Sequence, residues 1–411
     1  MTKNFDDVKK LGFGLMRLPQ KEGVIDVERV KTMVDMFLDA GFNYFDTAFA
    51  YAGSEDAIRQ ALVNRVPREK FFLATKNAAW LNCKTKDDAV AQFETSLRQT
   101  GAGYFDFYLL HNLGESRTHF FDDFDMWSWI QEKKREGLVR HAGFSFHSTP
   151  QELEEILIAH PEAEFVQLQI NYADWDNPAV RSRECYEVAR KHGKPVIVME
   201  PVKGGMLANP PKTVLDVLKG AEPDSSAASW ALRFAAGLDG VLTVLSGMSS
   251  EEQMRDNISC MKGFSSLDEK ERLALSRAQE EIKKVPLIPC TTCNYCAKVC
   301  PQNIGDVYGG QLFYALRKQG YGALAGGLAG GQARQTARRQ MRRLRKLRKG
   351  VPSAYRNTQR AEKIGEGALL KRFCFKTGLG QSRFLPRKNC GFVSDKRRGG
   401  LLRPFRIGTT I

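Results

Sequence analysis

"FDFYLLH", residues 105–111, decides how this chain folds. Apart from Asp106 it is apolar up to its terminal histidine. A run this continuous suits a strand buried on both faces, as in a parallel sheet covered by helices. Working outward, seven more stretches read the same way: "LGFGLMRL" (11–18), "NYFDTA" (43–48), "FFLATK" (71–76), "RHAGFSF" (140–146), "FVQLQINY" (165–172), "PVIVMEP" (195–201) and "VLTVLSG" (241–247). Helical patterns separate them, such as "DVERVKTMVDMFLDAG" (26–41) and "TPQELEEILIAH" (149–160). Asp26 and Thr149 are the expected caps, and Gly41 is an expected stop. Eight strand–helix units in about 250 residues predict an α/β fold, a (β/α)8 TIM barrel. The rival, a doubly wound sheet binding a dinucleotide through G-x-G-x-x-G, is disfavoured because that string does not occur.

Barrel chemistry sits at the C-terminal ends of strands. Those ends carry Asp46, with Tyr51 five residues on, then Lys76 and His111. Each has a plain alternative: a turn cap, a loop aromatic, a surface lysine, a core histidine. Four suitable groups at three successive strand ends make a stronger case, because the fold brings them to one mouth. A tyrosine phenol, with a pKa of about 10, is a poor acid at neutral pH. A neighbouring ammonium lowers it by stabilising phenolate. A carboxylate keeps the ammonium charged, and an imidazole N–H holds a substrate oxygen where the proton arrives. Hydride must then come from a nicotinamide held roughly 3–3.5 Å from the carbonyl carbon.

"FDTAFAYAGSE" (45–55), "LATK" (73–76) and "DFYLLH" (106–111), in this order and spacing, resemble the aldo/keto reductases over roughly residues 8–263. The resemblance implies that Tyr51 is the proton donor, Lys76 its activator, Asp46 the partner of Lys76, and His111 the orienting group. It implies Ser145 in "GFSFH" and Gln169 in "VQLQINY" as contacts for the nicotinamide carboxamide, with Phe146 in place of the usual Asn. "EPVKGGML" (200–207) resembles the loop after the seventh strand. "SGMSSEEQMRDN" (246–257) corresponds to the loop that holds the adenosine phosphate, giving Gly247, Met248, Gln253 and Asn257 as cofactor-binding residues. A phosphate there would meet the start of the following helix. Gly247 and Gln253 stand where NADPH-using members carry Lys and Arg, so NADP or NAD remains open.

"CTTCNYCAKVCPQNI" (290–304) places Cys290, Cys293, Cys296 and Cys300 at C-x2-C-x2-C-x3-C-P spacing, the bacterial ferredoxin run. A zinc knuckle is the rival, but it pairs two C-x2-C units across a longer loop. The expectation is a 4Fe-4S cluster in a ferredoxin-like iron–sulfur segment, with metal ligands Cys290, Cys293, Cys296 and Cys300. In two-cluster ferredoxins the fourth Cys ligates the other cluster. A single run therefore leaves a cluster that is incomplete, labile or absent. The resemblance is to the cluster-bearing, ferredoxin-type branch, which often has a second run some fifty residues later.

Near that distance stands "MRRLRKLRKGVPSAYRN" (341–357). Met341, Leu344, Leu347 and Val351 repeat the spacing of the four cysteines, and Pro352 follows as Pro301 does. Codons permitted for this stretch and the two residues that follow it, read one nucleotide later, spell "CAACGNCEKACPQHIEIR". An amphipathic basic helix also spaces its apolar residues this way. The following Pro-Gln-His-Ile goes beyond a helix pattern. The expectation is a one-nucleotide frameshift between Gly305 and about Gln319, leaving the tail as out-of-frame translation.

Charge divides the chain at the same place. The whole carries +15, yet residues 306–411 hold 25 Lys and Arg against 4 Asp and Glu, which leaves 37 against 43 in residues 1–305. No base-stacking pattern or RNA-binding fold accompanies the basic run, so nucleic acid is not expected as a partner. Composition predicts a disordered basic tail. No run of about 18 apolar residues occurs, so no membrane span is expected, and the start lacks the apolar region of a signal peptide. Nine Cys, four of them clustered, point to a metal site in a reducing, cytoplasmic setting.

The expected organisation is a barrel over 1–265, a linker helix plus the cysteine run over 266–305, and the tail over 306–411. The expected function is nicotinamide-dependent reduction of a small carbonyl substrate to an alcohol, or the reverse, with a redox partner protein for the iron–sulfur segment. The alternatives are a barrel that senses nicotinamide state without turnover, and an electron carrier without hydride transfer. Trp80, Trp127, Trp129 and Trp175 are candidates to line an apolar pocket or, equally, to serve as packing.

Overall fold

The computed structural model describes residues 4–114, 116–178 and 180–284. Eight parallel strands close a barrel: β1 (Leu11–Gly14), β2 (Tyr44–Asp46), β3 (Phe72–Asn77), β4 (Phe105–Leu113), β5 (Val139–Phe146), β6 (Phe165–Gln169), β7 (Val196–Met199) and β8 (Val241–Ser246). Each pairs with its neighbours in sequence, and β1 pairs with both β2 and β8, which closes the ring. A two-residue hairpin, Gln20–Lys21 with Val24–Ile25, lies outside the ring.

Around the barrel run α1 (Val27–Asp39), α2 (Ser54–Ile58), α3 (Lys86–Thr100), α4 (Thr118–Asp123), α5 (Met126–Arg135), α6 (Pro150–Ala159), α7 (Ser182–Lys191), α8 (Lys212–Ala221), α9 (Ala227–Ala236), α10 (Glu251–Met261) and α11 (Glu269–Lys284). The expected caps operate: Asp26 accepts from Arg29 N, and Thr149 accepts from Glu152 N with Pro150 opening the helix. Gly41 follows α1 at φ +91°, a conformation that ends a helix at little cost only for glycine.

Several strands are shorter than their apolar runs. "LGFGLMRL" leaves the sheet after Gly14 because Leu15–Arg17 winds into a 3-10 turn. "FVQLQINY" stops at Gln169 because Asn171 Oδ1 accepts from Asp174 N at 2.9 Å and bends the chain. The linker helix expected from residue 266 begins at Glu269, since Asp268 Oδ1 caps it by accepting from Glu271 N at 2.8 Å.

Two cores follow from strand alternation. The outer core packs one strand face against the helices and includes Phe13, Phe45, Tyr108, Phe144 and Phe146. The inner core fills the barrel with Tyr44, Phe72, Ala74, Phe107, Leu109, Phe165, Ile197 and Leu245. A third cluster packs α11 on α8 and α9 through Leu218, Trp230, Leu275 and Ala278. Among the described residues no helix is long and apolar enough to cross a membrane. Cys290, Cys293, Cys296, Cys300 and the basic tail lie outside the described residues.

Candidate active site

The period of two turns the inner core into a site. Two residues beyond Tyr44, Ala74, Leu109 and Phe165, on the same face of each strand, stand Asp46, Lys76, His111 and Gln167, and Gly247 follows Leu245 just past the end of β8. Gly143 also faces inward, since a Cβ there would fall 2.8 Å from the Phe165 ring, so Ser145 follows on that face. The apolar plug thus gives way to polar groups toward the C-terminal mouth.

Lys76 Nζ lies 2.5 Å from Asp46 Oδ1 and donates to the Thr47 carbonyl at 2.7 Å. Both side chains are buried, with residue exposures of 1 % for Lys76 and 2 % for Asp46. Burial pulls the Lys76 ammonium down from its ordinary pKa, and the Asp46 charge opposes it. Burial likewise pushes the Asp46 carboxyl up, against the Lys76 charge. The same ammonium sits 5.0 Å from the centre of the Tyr51 ring. The His111 imidazole meets that ring edge-on, with centroids 5.8 Å apart at 83°. Trp80 donates its indole N–H to the His111 carbonyl at 2.8 Å, and its ring lies 6.0 Å from the imidazole. The structure therefore brings together Asp46, Tyr51, Lys76 and His111.

The loop bearing Tyr51 is held from both sides. Thr47 N donates to Ala74 O at 2.9 Å and Phe49 N to Lys76 O at 3.2 Å, which continues the β3 register past the end of β2. Thr47 Oγ1 and Ser54 Oγ are 2.8 Å apart, and Ser54 Oγ donates to Leu15 O at 3.0 Å. Glu55, which the sequence did not single out, is buried in α2 and accepts from Thr75 Oγ1 at 2.6 Å.

The residues expected to hold a nicotinamide lie further round the rim. Ser145 Oγ accepts from Asn112 N at 2.7 Å. Gln169 Nε2 is a buried donor with no hydrogen-bond partner among the described residues. An unspent donor there fits a ligand carbonyl, such as that of a carboxamide. Asn112, also not anticipated, follows His111 at φ +64° with both side-chain polar atoms buried and unpartnered among the described residues. Phe146 turns outward into the core behind the strand, so its ring is packing rather than rim.

At the β8–α10 loop Met248 and Asn257 are buried, whereas Gly247 and Gln253 are exposed. Met248 is buried in the outer core, so only its backbone faces the loop. Asn257 donates to Ser246 Oγ at 2.8 Å, and Gln253 Oε1 accepts from Ser249 N at 2.7 Å. Ser250 caps α10, whose first turn carries Glu251 and Glu252. Of the four candidate tryptophans, Trp80 reaches the site. Trp127 and Trp129 belong to α5 and pack in the outer core, the packing alternative, because they are helical rather than in a loop. Trp175 packs edge-on against Phe234 at 5.5 Å. Among the described residues no cluster of His, Cys, Asp or Glu is arranged to hold a metal ion.

Residues 10–277 match the model of the aldo/keto reductase family. An aldo-keto reductase of Mycolicibacterium vanbaalenii is 29% identical over 225 residues, covering 54% of this chain and 74% of the relative. An uncharacterized oxidoreductase of Schizosaccharomyces pombe is 27% identical, covering 67% of this chain and 91% of the relative. The holo form of an aldo-keto reductase from Bacillus halodurans superposes with a TM-score of 0.54 at 26% identity, covering 66% of this chain and 92% of that one. An aldo/keto reductase from Klebsiella pneumoniae, solved with NADP and acetate, shares the fold at 20% identity and a TM-score of 0.54, covering 66% of this chain and 91% of that one.

Proposed function

The chain belongs to the aldo/keto reductase family, and from that premise we propose that it is a nicotinamide-dependent oxidoreductase interconverting a small carbonyl compound and its alcohol at the Tyr51–Lys76 corner of the barrel. The observation that carries this reading is one ammonium lying 2.5 Å from a carboxylate oxygen and 5.0 Å from a phenol ring, with an imidazole edge-on to that ring. Tyr51 gives its phenolic proton to the carbonyl oxygen, and the Lys76 charge stabilises the phenolate left behind. Asp46 keeps Lys76 charged in a site where burial works against charge. His111 orients the substrate oxygen. A bound nicotinamide dinucleotide supplies the hydride.

Ser145 and Gln169 would hold the nicotinamide carboxamide, and the unspent Gln169 Nε2 donor supports that assignment. The NADP in the Klebsiella pneumoniae structure supports a nicotinamide dinucleotide here. The loop of Gly247, Met248, Gln253 and Asn257 would receive the adenosine end, with Met248 contributing only backbone. Turnover of an aldehyde panel, followed by nicotinamide absorbance, tests the reading. Replacing Tyr51 by Phe lowers kcat by more than about 100-fold while nicotinamide binding stays within about twofold. Undiminished turnover would overturn it, and binding without turnover in the unaltered chain would favour a sensing barrel.

We propose for residues 266–305 a linker helix followed by a ferredoxin-type segment in which Cys290, Cys293, Cys296 and Cys300 bind iron and sulfide. Their spacing is the support. Anaerobically purified protein containing neither iron nor acid-labile sulfide would rule it out. For residues 306–411 we propose out-of-frame translation of a second cysteine run. Resequencing the gene tests this: codons incompatible with TGC at Met341, Leu344, Leu347 and Val351 remove it.

A further inference from the structure

We propose that Glu55 is a positioning residue of the reducing site, tying the segment that carries Tyr51 to the strand that carries Lys76 and placing a second buried negative charge behind that strand. This rests on the roles proposed above for Tyr51 and Lys76. Glu55 lies four residues after Tyr51, in the first turn of α2, and is 2 % exposed. Its neighbour Asp56 is exposed at the same helix start and supplies an acidic group there without burial. Burying a second carboxylate carries a desolvation penalty that helix capping does not require.

Its contacts explain the burial. Thr75 Oγ1 donates to Glu55 Oε1 at 2.6 Å, and Thr75 immediately precedes Lys76 on β3. Ser54, the preceding residue, is bonded to Thr47 Oγ1 and Leu15 O. The chain around Tyr51 is therefore pinned to β3 on one side and to the end of β1 on the other. Removing the Thr75–Glu55 link frees the α2 side of that clamp.

The charge matters as well as the link. Lys76 feels Asp46 directly and Glu55 at longer range, and both carboxylates favour its ammonium form against burial. Burial pushes the Glu55 carboxyl up; the Thr75 hydroxyl and the Lys76 charge oppose this. The charged or titratable groups facing Glu55 are Asp56 on its own helix, Lys76 on β3 and Tyr108 on β4, while α3 meets it with the uncharged Ser96. Tyr108 stays a neutral phenol because burial raises its pKa. Around Lys76 stand Asp46 from β2 and Tyr51 from the loop, with Glu55 of α2 acting at longer range.

Replacing Glu55 by Gln keeps an acceptor for Thr75 and removes the charge. Both consequences then push the basic limb of the kcat–pH profile the same way. Lys76 loses its proton at lower pH, and the Tyr51 phenol also ionises at lower pH. For the full-length chain with a bound nicotinamide and an aldehyde substrate, E55Q lowers the apparent basic pKa of kcat by about half to one unit. It reduces kcat about tenfold with KM within about twofold. Thr75→Val, which cuts the link and keeps the charge, lowers kcat and leaves the limb in place. A basic limb for E55Q that superposes on the unaltered enzyme overturns the proposal. Should E55Q fail to fold, Glu55→Asp decides: lowered kcat with an unmoved limb supports the role, and unchanged kcat overturns it. Activity surviving in Tyr51→Phe is a separate failure, of the catalytic reading itself.

Discussion

Two buried lysine–aspartate pairs stand near strand ends, and they are not equivalent. Lys76 and Asp46 have side chains 1% and 4% exposed, and Lys203 and Asp174 6% and 2%. By composition and burial they are twins. Their neighbours differ. Lys76 faces a phenol ring at 5.0 Å, with an imidazole edge-on to that ring. Asp174 is wrapped by amides: Asn171 Nδ2 donates to its Oδ2 at 3.1 Å and Asn177 Nδ2 to its Oδ1 at 3.3 Å. Lys203 sits at φ +48° in a turn where Glu200 is at +57°, Gly204 at +61° and Gly205 at +94°. Left-handed backbone at non-glycine residues persists only where surroundings over-determine it. One pair borders the phenol proposed above as proton donor, and the other holds a strained turn.

Substituting each lysine by Met separates these roles. Lys76→Met removes the charge that stabilises the Tyr51 phenolate, and kcat falls by about 10²–10⁴-fold even in chains that remain folded. Lys203→Met leaves Asp174 buried without its cation and lowers unfolding free energy by roughly 3–5 kcal/mol, toward the lower end because two amides still donate to it. Well below its lowered Tm, this variant keeps kcat within about tenfold of the parent. Denaturant melts and initial rates on both variants check the pair of outcomes. A Lys203→Met enzyme as inactive as Lys76→Met, yet fully stable, would erase the distinction.

The difference also marks what could be read from sequence. Asp46, Lys76 and His111 were legible because each stands at or near the end of an apolar run, and a period of two puts such positions on one inner face. Tyr51 was legible only by its distance from Asp46. Glu55 was not, because an acidic residue in a helix first turn ordinarily faces water, and its partner Thr75 lies 20 residues away. The Lys203–Asp174 pair joins residues 29 apart across two different loops, and no periodicity links them. Met248 and Asn257 were placed by loop position alone, which does not say that one side chain turns into the outer core and the other back onto Ser246. Strand limits failed for a similar reason: apolar runs continue into turns whose geometry is set by a single side chain such as Asn171.

A third charged pair gives the smallest effect. At the first turn of α10, Glu251 binds Arg29 through Oε1 to Nε at 2.9 Å and Oε2 to Nη2 at 2.5 Å, and Glu252 adds another carboxylate. If the adenosine end of the nicotinamide dinucleotide lies at this loop, the extra phosphate of NADPH meets two carboxylates and a guanidinium already engaged. NADH is then the better-bound partner. Glu251→Gln removes one carboxylate and releases Arg29, raising NADPH affinity relative to NADH by about two- to fivefold. Titration of both cofactors against both proteins reads this ratio, and an unchanged ratio would put the adenosine end elsewhere. The same variant reports on stability. The Arg29 hydrogen bond pulls the Glu251 carboxyl from 4.5 down to about 2. A depressed carboxyl stabilises the fold above pH 4.5 and loses that contribution as pH falls toward about 2. Acid melts of Glu251→Gln should therefore lose less stability across that window than the parent. The difference should shrink in high salt, because the pair lies at the surface where ions screen it.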